Sequence, residues 1–258
     1  MAILKKTGII KKFISRTHRF DLYDEKDKWI VPFRDFKMKH IDSVYAVAVH
    51  GQNYLKNKIS SNYKPKVKLS YLGVEMPSDI NPKSSNCQEK IIVSASNTQD
   101  FKRVHHIPDI LSKFDFPVKW IHFGNGPFDS ALKEKIKKLP ANIKVELKGR
   151  VPNNEVINYY ANQHVDLFIS LSTSEGLPIS MMEVISYGIP VFAGNICGIP
   201  DLVNGTTGAL FEIVDTFETI AEKLKHTLDK DFDAEKIAAF ARSKFNYEQN
   251  YKEFLKNL

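Results

Sequence analysis

The sequence predicts an α/β protein: a Rossmann-like parallel sheet preceded by an incomplete second Rossmann-like unit. Three observations carry this. From residue 90, short runs rich in β-branched and aromatic residues recur at intervals of roughly 20 to 30 residues. The segments between them have helical periodicity and are long enough for crossovers, so successive strands run parallel. The apolar fraction of 43% and charged fraction of 26% are those of a globular chain, and 258 residues bury a core easily.

Before residue 90 the pattern is thin. "IIKKFIS" (9–15), "SVYAVAV" (43–49) and "KVKLSYLG" (66–73) read as strands, with "HGQNYLKNKI" a helix between the last two. Residues 75–89, "EMPSDINPKSSNCQE", are polar and rich in Pro, Ser and Asn, which marks a linker. The expected division is therefore 1–74, linker 75–89, a main unit 90–245, and a final helix 246–258. In the main unit the strands are "KIIVSAS" (90–96), "VKWIHFG" (118–124), "IKVELKG" (143–149), "VDLFISL" (165–171), "IPVFAG" (189–194) and "GALFEI" (208–213). Helices are expected in "VHHIPDILSKF", where Pro108 must occupy the first turn or kink it, "PFDSALKEKIKKL", "NNEVINYYANQ" and "ISMMEVISYG". The tail from "TFETIAEKLKHTLD" onward is helical by period.

Composition narrows the function. No apolar run approaches the ~20 residues that span a bilayer, and lysines interrupt the opening "MAILKKTGIIKKFIS", so a cytosolic chain is expected. Cys87 and Cys197 belong to no ligand pattern, and His105-His106 are expected on a helix surface without further metal ligands nearby. Residues 1–70 carry 16 Lys and Arg against 6 Asp and Glu, whereas the remainder carries 21 against 24. That localised basic excess suits an anionic membrane surface or plain solvent, and no nucleic-acid-binding motif accompanies it.

The chemistry concentrates in "SEGLPISMMEVISYGIP" (174–190). A strand runs into this turn, and a helix is expected to begin at Pro178, which suits the first helical position because its missing N–H needs no partner there. The amides of Gly176, Leu177 and Ile179 then face outward from a positive helix end, an anion site suited to phosphate. Glu175 at its lip would be repelled by phosphate and is better matched to carbohydrate hydroxyls. Glu183, eight residues on, can return to the same cleft and accept two ribose hydroxyls. Ordinary surface acids would show the same spacing. Gly124 and Gly126 in "FGNGP" suit close backbone approach at a strand end, and Lys102 and Arg103 are placed to neutralise a diphosphate.

"EGLPISMMEVISYGIPVFAGNICGIPDLVNGTTGALFE" resembles the core of the retaining family 4 glycosyltransferases of GT-B fold. The resemblance continues upstream through "FGNGP" and "LKGRVPNNEVINYY", and to "ISRTHRFDLYDE" (14–25), "VPFR" (31–34) and "VHGQNYL" (49–55). It implies a nucleotide-diphosphate sugar bound between two Rossmann-like units and transferred with retention to a polysaccharide or lipid-linked acceptor, with no metal or other cofactor. By analogy Glu175 meets the transferred sugar, the amides of Gly176, Leu177 and Ile179 the sugar and diphosphate, Glu183 the ribose, backbone near Val151 the base, and Lys102 the diphosphate. His18 would face the sugar from the other unit.

Two substitutions depart from the family: Ser96-Asn97 stand where it usually has Gly-Arg, and Ala48 where it usually has Ser. The short unit before the linker lacks the family's opening glycine-rich loop and is expected to leave sheet edges for a second copy or partner chain to cover. A catalytically silent nucleotide-sugar-binding module is the competing expectation. In either case the chain is placed in the cytoplasm, at the inner face of the membrane if it docks there.

Overall fold

The computed structural model describes residues 1–18, 22, 34–83 and 88–256. The expected features at 19–21, 23–33 and 84–87, Cys87 among them, lie outside the described residues.

The first unit comprises α1 (Ala2–Lys6), β1 (Ile14–Thr17), α2 (Arg34–His40), β2 (Ser43–Ala46), α3 (Val49–Lys58) and β3 (Val67–Leu69). Its strands form a parallel sheet in the order β1-β2-β3. Val44, Tyr45 and Ala46 of the central strand are all buried, as expected for a parallel strand covered on both faces. The strand expected at 9–15 begins only at Ile14. Upstream, α1 ends at Gly8, whose φ of +77° a β-carbon would resist, and Ile9 is 70% exposed.

The second unit comprises β4 (Lys90–Ala95), α4 (Ile107–Leu111), β5 (Val118–Phe123), α5 (Asp129–Ile136), β6 (Ile143–Gly149), α6 (Asn153–Asn162), β7 (Leu167–Ser170), α7 (Ile179–Ser186), β8 (Val191–Gly194), β9 (Gly208–Phe211), α8 (Phe217–Leu228), α9 (Ala234–Phe245) and α10 (Tyr247–Lys256). All six strands are parallel, in the order β6-β5-β4-β7-β8-β9. Counted from β4 this is the doubly wound order 3-2-1-4-5-6, which reverses between β4 and β7. Adjacent residues serve opposite faces. Val93, Ile121 and Phe168 pack in a core with α6, α7 and α9, whereas Ile92, Trp120 and Leu167 pack in another with α4 and α8. Pro108 falls in the first turn of α4, as its missing N–H requires.

Direct contacts join the units. Val47, Ala48 and Val74 belong to the same apolar core as α7 and α9. Ala48 sits at the N-cap of α3 and has no side-chain oxygen to offer; Asp201 Oδ2 instead accepts from Val49 N–H at 2.7 Å. The cap thus comes from the loop after β8, in the other unit. Burial and the nearby Asp201 carboxylate push the Tyr71 phenol up to about 12. Helix α10 lies on the small sheet: Phe254 meets Tyr45 edge-on at 4.9 Å, and Arg16 stacks over the rings of Tyr251 and Phe254.

One buried group makes the fold sensitive to acid. His122 is buried beneath the ends of β4 and β5, with Nδ1 2.8 Å from Ser94 Oγ, and the same hydroxyl accepts from Trp120 Nε1. Burial pushes the imidazole down to about 4. The unfolded chain then takes up a proton near pH 6.5 that the folded chain refuses until about pH 4, so stability falls as pH drops through that window. This group alone contributes on the order of 3 kcal/mol across it. In urea melts between pH 7 and 4.5, His122→Gln is expected to show a shallower loss than the parent; parallel curves would contradict the assignment.

Candidate functional site

The strand-order reversal leaves a crevice beyond the carboxyl ends of β4 and β7, and the two connecting segments meet there. The segment after β4 folds into two short 3-10 turns, Asp100–Lys102 and Val104–His106, joined by Arg103 in the left-handed region at φ +52°. The segment after β7 is tied to it where Thr173 N–H donates to Phe101 O at 2.8 Å. This brings Lys102 Nζ to 2.5 Å from Glu175 Oε1, with Glu175 as a whole 8% exposed. An acid and a base 73 positions apart thus share one narrow recess.

Pro178 is the N-cap of α7 rather than its first helical residue, with φ −69° and ψ 120°. No side chain caps the helix start. Its first-turn amides and positive dipole end therefore remain available to an anion. Ile179 at this point is 53% exposed, an unusual place for a large apolar side chain in a helix that is otherwise core. Behind the turn, Gly198 packs so closely that a β-carbon would stand 2.1 Å from Gly176 O and 2.8 Å from Ala48 Cβ.

Ile179 and Ser180 open onto a cleft of about 340 Å³, with Ser96, Gly124, Arg150, Val151 and Glu183 around it. Ala95, Ser96 and Ser180 line both this cleft and the narrow recess holding Lys102 and Glu175, so the two carboxylates stand in adjoining pockets that share a wall. Glu183 is half-buried. Burial pushes its carboxyl up, and a 3.1 Å hydrogen bond from Asn153 Nδ2 opposes that shift. Past Glu183 and Asn153 a further groove of about 460 Å³ continues beneath Glu75 to Ser78.

Some residues expected in the site lie elsewhere. Arg103 does not line the cleft: its left-handed backbone turns the guanidinium over the ring of Phe217, 5.7 Å from the centroid. The Leu177 side chain is packed in the core, which leaves the expectation for its amide untouched because that concerned the backbone alone. Gly126 serves the protein's own packing, because a β-carbon there would stand 2.9 Å from Thr98 Oγ1. Gly124, at φ +133°, does line the cleft, and a β-carbon on it would stand 1.9 Å from Ser96 O. His18 is exposed just beyond β1 and lies outside the cleft lining. His105 is buried and stacked on Phe128 at 4.5 Å, not on a helix surface, because its 3-10 turn directs it under α5.

Three polar lining residues escaped the sequence reading. Arg150 and Asn153 follow β6 in "GRVPNN", where only the backbone near Val151 was singled out, and Ser180 lay unmarked in the first turn of α7. Arg150 supplies a cation at the cleft edge, where Ser96 and Asn97 supply none. Among the described residues there is no group of three or more metal-binding side chains, and no helix is long and apolar enough to cross a membrane.

Comparisons with known proteins agree on what such an arrangement belongs to. The family described as glycosyl transferases group 1 matches residues 76–244. The N-acetyl-alpha-D-glucosaminyl L-malate synthase of Bacillus anthracis is 29% identical over 131 residues, which are 50% of this chain and 33% of that protein. The O-antigen biosynthesis glycosyltransferase WbnH of Escherichia coli is 35% identical over 104 residues, 39% of this chain and 30% of that protein. The structure of Anabaena Alr3699/HepE in complex with UDP superposes with a TM-score of 0.76 at 18% identity, covering 99% of this chain and 74% of that one. The matches span about a third of the length of these two curated relatives.

Proposed function

This chain belongs to the group 1 glycosyl transferases, and on that premise we propose that its cleft binds a nucleoside-diphosphate sugar and transfers the sugar with retention of configuration. The acceptor is a polysaccharide or a lipid-linked glycan. One observation carries the reading. At the point where the strand order reverses, an uncapped helix start, the Lys102–Glu175 pair and the half-buried Glu183 gather around two adjoining pockets that share Ala95, Ser96 and Ser180.

Each part has a role in charge bookkeeping. The diphosphate lies over the first turn of α7, where amides and dipole meet it, with Lys102 on one side and Arg150 on the other. Glu183, fixed by Asn153, accepts hydroxyl hydrogen bonds from the ribose, and the base lies along the backbone at Val151. Glu175 faces the transferred sugar. In the transfer, the bond between the anomeric carbon and the diphosphate oxygen breaks, and the acceptor oxygen takes that place on the same face. The acceptor's proton leaves with the nucleoside diphosphate. Helix amides and Lys102 take up the leaving-group charge, so the reaction needs no resident metal.

The test is calorimetric titration with UDP-, GDP- and ADP-sugars, followed by NMR of the product's anomeric configuration. Binding of at least one donor and a retained anomer are expected. Binding with neither transfer nor donor hydrolysis would favour the silent binding module, a reading supported by the absence of any cation at Ser96-Asn97. No binding by any donor would overturn both.

A further inference from the structure

The linker between the units carries a titratable fastening that the transfer chemistry does not use. At its start, Val74 N–H donates to Phe245 O at 2.8 Å and Tyr247 N–H to Val74 O at 3.1 Å. Further along, Asn81 is buried against the end of α6 and the turn before β7. Its side chain donates to Tyr160 O at 2.6 Å and Gln163 O at 2.7 Å and accepts from Val165 N–H at 2.9 Å. The Asn81 N–H itself donates to Tyr187 O at 2.8 Å. Pro82 follows, and its carbonyl oxygen meets His164 Nδ1 at 2.9 Å. The other ring nitrogen, Nε2, faces Asp166 Oδ1 at 3.3 Å. A carbonyl and a carboxylate oxygen only accept, so both ring nitrogens must donate, and only the imidazolium has two N–H groups.

The surroundings favour that charged ring. Asp166 is fixed as its partner, because Oδ2 accepts from Ile91 N–H at 2.7 Å, and Lys90 Nζ stands 3.8 Å from Oδ1. Beyond this pair, Lys83 and Glu89 of the linker and Lys230 and Asp231 of the turn after α8 line the same pocket of about 270 Å³. Glu89 is already paired with Lys144 at 2.8 Å. The outer charges thus offset one another, and Asp166, in direct contact, decides. Its hydrogen bond raises the imidazole above the ordinary value; burial and Lys90 oppose the shift, and the Pro82 carbonyl adds to it. When one proton leaves, the carboxylate keeps the other, since a charged acceptor holds an N–H more strongly than a carbonyl does. The Nδ1 lone pair then faces the Pro82 oxygen, and attraction turns to repulsion. We propose that His164 is a pH-operated clasp on the linker: the imidazolium pins Pro82, and loss of one proton releases it.

The clasp works in the opposite sense to His122. Its stabilisation is complete below the ordinary imidazole value of about 6.5 and is lost as pH rises through the raised one. Between the two anchored ends of the linker, Glu75 to Ser78 line the groove beside Glu183, so the clasp sets how firmly that wall is held.

NMR of the imidazole nitrogens in the full chain, from about pH 5.5 to 9, tests this. His164 is expected to carry two protons at the ordinary imidazole value, to titrate above it, and to end as the Nε2–H tautomer. Asp166→Asn, whose side-chain oxygen still serves Ile91 N–H, should bring the midpoint down. Amide exchange reports on the linker. After correction for intrinsic base catalysis, Asn81 protection in the parent should fall at least about threefold as pH passes the His164 midpoint. His164→Asn keeps an amide donor near the Nδ1 position and does not titrate, so its Asn81 protection should show no such step. A midpoint at or below the ordinary value, an Nδ1–H tautomer in alkali, or a midpoint unmoved by Asp166→Asn would overturn the proposal. So would an Asn81 step that is absent from the parent or that persists in His164→Asn.

Discussion

Lys102→Ala is expected to lower affinity for the donor's nucleoside diphosphate by about 30- to 150-fold, the loss of one charge-assisted contact of roughly 2 to 3 kcal/mol. It also does something a surface lysine would not do. Glu175 is 8% exposed and its carboxylate has Lys102 at 2.5 Å, so truncating the lysine strands a charge in a recess with little water. Breaking such a pair from one side costs about 2 to 4 kcal/mol of stability, less than for a fully buried pair because Lys102 is partly solvated. A lowered melting temperature alone would not separate binding from folding. The double variant Lys102→Ala/Glu175→Gln does: a neutral amide removes the stranded charge, so stability should recover most of its loss while nucleotide affinity stays down. If affinity returns with stability, Lys102 is a strut for Glu175 and not a ligand for phosphate. The measurement pairs urea denaturation for stability with calorimetry for affinity, at one pH and salt concentration.

The same pair shows where sequence reading runs out. The six strands of the main unit were legible because each is a short apolar run framed by helical segments. β7, its turn and α7 were legible together, since a strand entering Glu-Gly-Leu-Pro leaves the chain few other courses. That Glu175 and Lys102 would neutralise each other was not legible. Their contact depends on β4 and β7 being neighbours, a consequence of the strand order and not of either segment. Arg103 failed as a cleft residue for a local reason. Between two 3-10 turns it takes a left-handed backbone, which periodicity does not announce in a non-glycine residue. Asn153 was invisible because its role is to hold another residue. Residues 9–13 misled because the β-branched and aromatic content of "IIKKFIS" reads as a strand, while Gly8 at φ +77° and the hydrogen bond from Ile9 N–H to Leu4 O turn the chain there instead.

Glu183→Gln should separate stability from binding in the opposite direction. Burial raises the Glu183 carboxyl above the ordinary glutamate value, and the Asn153 hydrogen bond only partly offsets it. An acid with a raised folded-state value binds more protons folded than unfolded, so its ionisation costs stability as pH climbs past the ordinary value of about 4.3. The cost is absent in more acidic solution and constant above the raised value. Gln has the same shape and keeps an oxygen for Asn153 Nδ2, without the charge. The variant should therefore melt at or above the parent temperature at pH 7, with the difference shrinking toward pH 4. Donor affinity should move the other way. A carboxylate accepting two ribose hydroxyls makes charge-assisted hydrogen bonds of about 1.5 to 3 kcal/mol each, so replacing it with an amide should weaken binding roughly 50-fold or more. Gain in stability with loss of binding is the mark of a group held at a cost for its ligand. A variant that is less stable at pH 7 and binds as tightly as the parent would identify Glu183 as an ordinary helix residue hydrogen-bonded to Asn153, and would remove the ribose from this end of the cleft.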